Sequence, residues 1–450
     1  MHGAALPVSN LRVAYFAAGA AGMYCGSCIR DNRLAATLIA QGRDVLLIPL
    51  YTPIRTDEID VSSRTVYYGG INVYLDQRFR FFRRIPGFLR RILDAPGLIS
   101  RAMRLSSSVR AADLGPMTVS VLKGEHGAQR AELLRLIDAL RDLRPSLVHL
   151  PNLPFVGVAR AIKEELGVPI LCTLSGEDIF LDQLPDPYRS QAFELIRASA
   201  DCIDAYVAVT DYYAGFAAQH FSLPREKVRV VRMGIDVSDF AAPAAPPAQP
   251  FTIGYLARIC PEKGLAELAE AFILLREQGR DCRLVAAGYL GKADRPYLER
   301  VRRRLRQAGV LGRFEYLGEV TREKKIEMLR SLHAFSVPSV YHEAKGLYVL
   351  EALAAGVPVV QPAHGSFPEL LEATGGGLLY DASGQAAAHN LAAALARLMD
   401  DSQLREGLAA RGRQSVHEAF TDAVMAQQTW SLYEEVCGSA SRPVQQSKVE

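Results

Sequence analysis

The sequence predicts an α/β protein made of two doubly wound parallel-sheet domains. Two halves of the chain repeat one order of strand, glycine-bearing loop, helix and strand. A proline- and alanine-rich stretch, AAPAAPPAQP at 241–250, separates them, and 450 residues exceed what one ordinary core accommodates.

The first half opens on the apolar strand LRVAYFAAG. A loop with Gly19, Gly22 and Gly26 follows, then a helix pattern, IRDNRLAATLIAQG, and a second strand, DVLLIPL. The second half opens the same way, with FTIGYLAR, a loop holding Pro261 and Gly264, the helix pattern LAELAEAFILLREQG and the strand RLVAAG. SLVHL, PILCTL, AYVAV, VRVVRM, FEYLG, HAFSVPS and VPVV read as further strands between helical runs. The expected first domain is 1–240, joined by a C-terminal helix at 421–437. The second is 251–420, with 241–250 as linker and a polar, disordered tail at 438–450. In such sheets ligands bind beyond the carboxyl ends of the strands, so the expectation is two facing domains with the site in a cleft between them.

Composition removes several classes. Apolar residues make up 49% and charged residues 22%, as in soluble globular proteins, and a net charge of +3 gives no case for a nucleic-acid partner. No run of eighteen apolar residues suggests a membrane span. The N-terminal stretch lacks a basic leader and reads as strand and loop, not as a signal peptide. Seven scattered cysteines suit a reducing cytoplasm better than a disulfide framework.

Two loops carry the candidate chemistry. In GYLARICPEKG, 254–264, Arg258 and Lys263 sit where a strand ends and a helix begins, a natural anion site. A solvated loop with ordinary surface charges is the competing reading. In YHEAKGLYVLEALAAGVPVV, 341–360, a strand exit leads into a helix starting near Gly346 and Leu347. The free N–H groups and dipole of that start favour a diphosphate. Glu343 precedes the helix, level with whatever the phosphate carries. Glu351 lies more than a turn inside it, placed to accept hydrogen bonds from a ribose diol. Alternatively Glu343 is an acid favoured by the helix dipole, and Glu351 is a partly buried acid paired with Lys or Arg.

R-x4-K at Arg258 and Lys263, with E-x7-E at Glu343 and Glu351, resembles the retaining glycosyltransferases of the GT-B fold, glycosyltransferase family 4. The similarity runs over essentially the whole chain and is strongest in 251–380, where HGSFPELL and GGGLLYD follow in family order. VRVVRMGIDVSDF is similar to the family's end-of-first-domain segment. The resemblance implies two facing Rossmann-like domains, a nucleotide-sugar donor and a hydroxyl acceptor (lipid, saccharide or small metabolite). Arg258 and Lys263 would hold the diphosphate, Glu343 the sugar and Glu351 the ribose. It implies retention of configuration and no metal, and the sequence shows no Asp-x-Asp pair.

The pattern departs from the family in places. Lys345 stands where many relatives carry an aromatic residue, as a third cation at the donor site or a solvent-facing lysine. Met233 replaces an asparagine. Only His149 precedes PNLPF, and SGED at 175–178 replaces a His-Gly pair. His149, Glu177 and Asp178 are thus the acceptor-side candidates, with helix capping the other reading of Asp178. Cys25 and Cys28 form a CxxC at a helix start, either a thiol switch or small packing residues. The alternative function is a non-catalytic nucleotide-sugar sensor or scaffold gated by that pair.

The stretch RFRFFRRIPGFLRRILDAPGLISRAMRL, 78–105, sets eight arginines against one aspartate. Three readings stand: peripheral contact with anionic membrane at the inner face, an acceptor-binding flap, or a solvated excursion. Nothing in the sequence indicates the oligomeric state.

Overall fold

The structure is a computed structural model that describes residues 11–19, 25–68, 114–240 and 250–440. Gly22, segment 78–105, residues 241–249 and the tail from 441 lie outside the described residues.

Twelve described strands form two parallel six-stranded sheets, each flanked by helices. The first contains β1 (Arg12–Ala17), β2 (Asp44–Pro49), β3 (Leu147–Leu150), β4 (Ile170–Leu174), β5 (Ala205–Ala208) and β6 (Val228–Val230), in the order β2-β1-β3-β4-β5-β6. Its helices are α1 (Gly26–Ala40), α2 (Gly115–Leu122), α3 (Arg130–Leu143), α4 (Ala159–Leu166), α5 (Asp178–Leu181), α6 (Tyr188–Ala198) and α7 (Asp211–His220). The second sheet contains β7 (Phe251–Leu256), β8 (Cys282–Ala287), β9 (Phe314–Tyr316), β10 (Ala334–Phe335), β11 (Val359–Pro362) and β12 (Gly377–Tyr380), in the order β12-β11-β10-β7-β8-β9. With it run α8 (Leu265–Glu277), α9 (Arg295–Gln307), α10 (Arg322–Arg330), α11 (Leu347–Ala354), α12 (Phe367–Thr374), α13 (Ala387–Asp400) and α14 (Ser402–Ala419); α15 (Asp422–Ala440) ends the described chain.

The strands are apolar on both faces because helices cover both. Val13 to Ala17 of β1 and every residue of β3, β4 and β5 are buried. Strand order also fixes where each sheet can bind. In the second sheet the chain runs outward from β7 through β8 to β9, then returns to β10 on the other side of β7. The direction of winding reverses between β7 and β10, and at such a switch point the two exit loops diverge and leave a crevice. In the first sheet the same reversal falls between β1 and β3.

The second compact unit holds Val209–Tyr213 and Arg232–Val424, and the described residues from Met425 onward return to the first. The division precedes the expected boundary at 240 because Met233, Ile235 and Phe240 pack in the second core. Ile235 N–H also donates to the Phe420 carbonyl at 2.9 Å. In the first unit Met425, Ala426, Trp430 and Tyr433 of α15 pack with Val13, Tyr15 and Leu147. α15 is helical to Ala440, beyond the expected end at 437.

Candidate active site

The two loops singled out in the sequence leave adjacent strands. Phe335 of β10 is in register with Gly254 of β7, so the β7 exit loop and the β10 exit loop start side by side. Positions separated by eighty residues thereby meet. Lys263 Nζ lies 2.5 Å from Glu343 Oε2, with side chains only 11% and 5% exposed.

Glycines make the approach possible. Gly264 caps α8 at φ +72°, and an added Cβ there would sit 1.8 Å from the Pro338 carbonyl oxygen. At Gly365, φ +63°, an added Cβ would sit 2.6 Å from the backbone nitrogen of Glu343, whose carbonyl accepts from Ser366 N–H at 2.8 Å. Any larger residue would push the two loops apart. Gly346, also left-handed at φ +72°, is the N-cap of α11.

Glu343 is the hub of the cluster. Its Oε2 accepts from Lys263 and from the hydroxyls of Tyr341 and Tyr348, both at 3.0 Å. The Lys263 ammonium lies 4.8 Å and 5.2 Å from the two tyrosine ring centroids, a cation–π setting. Burial pushes the Glu343 carboxyl up, but the Lys263 charge and hydrogen bond, with help from Lys345, pull harder and leave it at about 2. The carboxylate is ionised at neutral pH, with one oxygen saturated. Oε1 takes a long 3.4 Å contact from the Lys345 N–H, and the Lys345 charge also acts on the carboxylate.

Arg258 is exposed on the same rim, and its charge acts on Tyr341. Lys345 is half-buried and lines a shallow recess with Arg232, Met233 and Glu369, so the two departures at 233 and 345 lie close together. Leu347 opens α11. Glu351, on the same helix, is bonded by Lys325 Nζ at 2.6 Å, with both side chains largely buried. A carboxylate has about four acceptor sites. One ammonium therefore supplies the partner that burial demands and does not exhaust the acceptor capacity of the carboxylate.

Sequence reasoning did not find Tyr341, Tyr348 or Lys325. Lys325 carried a weak signal: it shares a helical face with Met328 and Leu329, all three buried, whereas its neighbour Lys324 faces outward.

Each of the first-unit candidates has a local structural setting. His149 Nδ1 is 2.8 Å from the Tyr433 hydroxyl and Nε2 is 3.0 Å from Thr173 Oγ1, in the core under α15. Burial, then the Arg30 charge, holds the ring neutral, with its pKa down at about 3. Glu177 folds back onto its own strand exit, taking Ser175 N–H at 2.8 Å and Ser175 Oγ at 3.0 Å. Asp178 is the first residue of α5, where an acid suits the helix dipole.

His149 sets a pH dependence. Its folded pKa is below the unfolded value near 6.5, so the unfolded chain binds the extra proton first. The stabilisation is complete above pH 6.5 and is lost as pH falls toward 3. Urea unfolding is expected to lose about 2 kcal/mol of stability between pH 7 and pH 5. His149→Gln should flatten that limb, and an unchanged slope would show that another group sets it.

Comparison with known proteins follows the same two-part plan. Residues 107–239 match the family described as Glycosyltransferase Family 4. Residues 238–415 match the family described as Glycosyl transferases group 1. The protein WcaL of Escherichia coli (strain K12), named for colanic acid biosynthesis as a glycosyltransferase, is 33% identical over 290 residues, covering 61% of this chain and 67% of its own. The phosphatidyl-myo-inositol mannosyltransferase of Mycolicibacterium smegmatis is 32% identical over 211 residues, 46% of this chain and 51% of that protein. Among solved structures, sucrose-phosphate synthase from Thermosynechococcus elongatus superposes with a TM-score of 0.68 at 17% identity, covering 95% of this chain and all of that one. Anabaena HepE, in complex with UDP-glucose, superposes at 0.65 and 14% identity, covering 94% of this chain and all of that one.

Proposed function

The chain belongs to the group 1/family 4 glycosyltransferases, and from that membership we propose that it moves a sugar from a nucleotide-sugar donor to a hydroxyl acceptor with retained configuration. The observation that carries this reading is the Lys263–Glu343 contact at the switch point between β7 and β10.

In this reading the donor diphosphate rests on Arg258, Lys263 and the N–H groups that open α11. Glu343 Oε1 meets a hydroxyl of the transferred sugar, and Glu351 meets the ribose. As the anomeric C–O bond breaks, negative charge grows on the leaving phosphate. The acceptor oxygen bonds to the anomeric carbon on the face the phosphate leaves, and its proton passes to the departing phosphate oxygen. Fixed cations and amides stabilise that charge much as an oxyanion hole does. They supply the positive charge themselves, so the reading requires no metal.

Two measurements test it. In thermal-shift screening against UDP-, GDP- and ADP-sugars, one class at a hundred times its Kd should stabilise by about 2.7 kcal/mol, or roughly 5–10 °C. No shift with any of them removes the donor site. Incubation with the matching donor should then release nucleoside diphosphate. Donor that is bound and recovered intact would identify a sensor on the same fold.

Glu351→Ala is expected to raise the donor KM about ten- to a hundredfold, the loss of hydrogen bonds to a charged group, with kcat largely kept. A fall in kcat at unchanged KM would place Glu351 elsewhere than on the nucleoside.

A further inference from the structure

Cys25 and Cys28 take no part in the reaction above, yet their setting is unlike that of the other cysteines. Cys25 is the N-cap of the fifteen-residue helix α1, and Ile29 N–H closes the first turn onto its carbonyl at 3.0 Å. Cys25 is half-buried, while Cys28, one turn on, is buried. The Cys25 thiol and the Gly19 backbone N–H both act on the Cys28 thiol, the first pushing its pKa up and the second pulling it down. Gly19 holds φ +78°, and a Cβ there would lie 2.3 Å from the Thr52 carbonyl oxygen. Gly19, just past β1, therefore lies against Thr52 and beside the buried sulfur, at the carboxyl edge of the first sheet.

Positions three apart at a helix start bring Cα atoms to about 5–6 Å, inside the span of a disulfide. The dipole of a helix start stabilises a thiolate at the cap. The Cys25 sulfur beside it, burial and the Asp31 charge together hold the Cys28 thiol protonated. An accessible sulfur at the cap and a shielded one a turn inside are the two roles that thiol–disulfide exchange needs. Zinc is a poorer fit, because among the described residues no three His, Cys, Asp or Glu side chains group together.

We propose that Cys25 and Cys28 form a reversible dithiol–disulfide couple, with Cys25 the attacking sulfur, Cys28 the resolving sulfur and a low-molecular-weight disulfide the oxidant. The Cys25 thiolate attacks one sulfur of the oxidant and expels the other as a thiolate, leaving a mixed disulfide on Cys25. Cys28 then gives up its proton and attacks the Cys25 sulfur, and the second small thiolate leaves. Two electrons and two protons pass from the protein to the oxidant, which departs as two thiols. The new bond ties the cap of α1 to its first turn and weakens the acceptor that Gly19 N–H uses, so oxidation acts on the end of β1 at Gly19. Cys172, Cys202, Cys260 and Cys282 are buried, and burial raises the half-buried Cys437 thiol, so the chemistry is selective.

The full chain is equilibrated in graded mixtures of reduced and oxidised glutathione, alkylated and mapped by peptide mass. Wild type is expected to lose two hydrogen atoms reversibly from the peptide holding both cysteines, without retained glutathione. Cys28→Ser should accumulate glutathione on Cys25, and Cys25→Ser should leave Cys28 unmodified. Thiols that stay reduced across the series, or equal adducts on Cys25 in wild type and Cys28→Ser, would overturn the proposal. The wild-type map decides by itself if either variant folds poorly. The readout is sulfur chemistry, so it does not depend on sugar transfer.

Discussion

Lys263→Ala is expected to cut transfer at saturating donor by about a hundred- to a thousandfold, the cost of removing one fixed donor from a site of growing charge. The same change removes the partner of a buried carboxylate. With Lys263 gone, burial dominates at Glu343, and its pKa climbs from about 2 toward neutrality. Breaking a buried pair from one side costs about 3–5 kcal/mol, so the unfolding midpoint should fall as well. The two effects are separable. Turnover is measured per folded molecule below the variant's own melting transition, while nucleoside diphosphate affinity is read by titration. Lys263→Arg keeps a cation beside Glu343 and should recover most of the stability but less of the rate, because a planar fork cannot take the place of an ammonium between two tyrosine rings. Wild-type turnover in Lys263→Ala would detach this lysine from the reaction.

Why Lys263 was legible in the sequence while its surroundings were not is a matter of range. A strand, a loop with a positive-φ glycine and a helix start are local patterns. They placed Arg258, Lys263 and Glu343 on strand exits, and Glu351 in the helix that follows, without any knowledge of packing. The order of strands then brought the two loops together. That order depends on which helix crosses which face, and the chain states this only through the repetition of its units. Partners drawn from afar left no such trace. Tyr433 reaches His149 across 284 positions, and nothing near residue 149 announces that both ring nitrogens are taken. Lys325 could be told from Lys324 only by helical phase. The boundary at 231 was missed because a linker rich in proline is conspicuous, whereas Met233 and Ile235 changing cores is not. Glu177 turning back on Ser175 is a local hydrogen-bond choice that a strand-exit acid makes or declines according to its neighbours.

Glu343→Gln should produce the opposite separation to Lys263→Ala: transfer falls about a thousandfold, while nucleoside diphosphate binds at least as tightly as before. The amide has nearly the shape of the carboxylate, so the Tyr341 and Tyr348 hydroxyls keep an acceptor. What it loses is the charge that occupies Lys263 in the absence of donor, and a released ammonium is a better phosphate ligand. The missing rate is the carboxylate's interaction with a sugar acquiring positive character at its anomeric carbon, an interaction stronger in the transition state than in the ground state. Acid unfolding supplies an independent check. Because the folded pKa of Glu343 is depressed, its stabilisation is complete above pH 4.5 and is lost as pH falls toward 2. Glu343→Gln should lack that limb while retaining the one that His149 sets between pH 6.5 and 3. If diphosphate affinity collapsed together with the rate, Glu343 would be a support for the phosphate site and not a partner of the sugar. If turnover were unchanged, no role at the reacting carbon could stand.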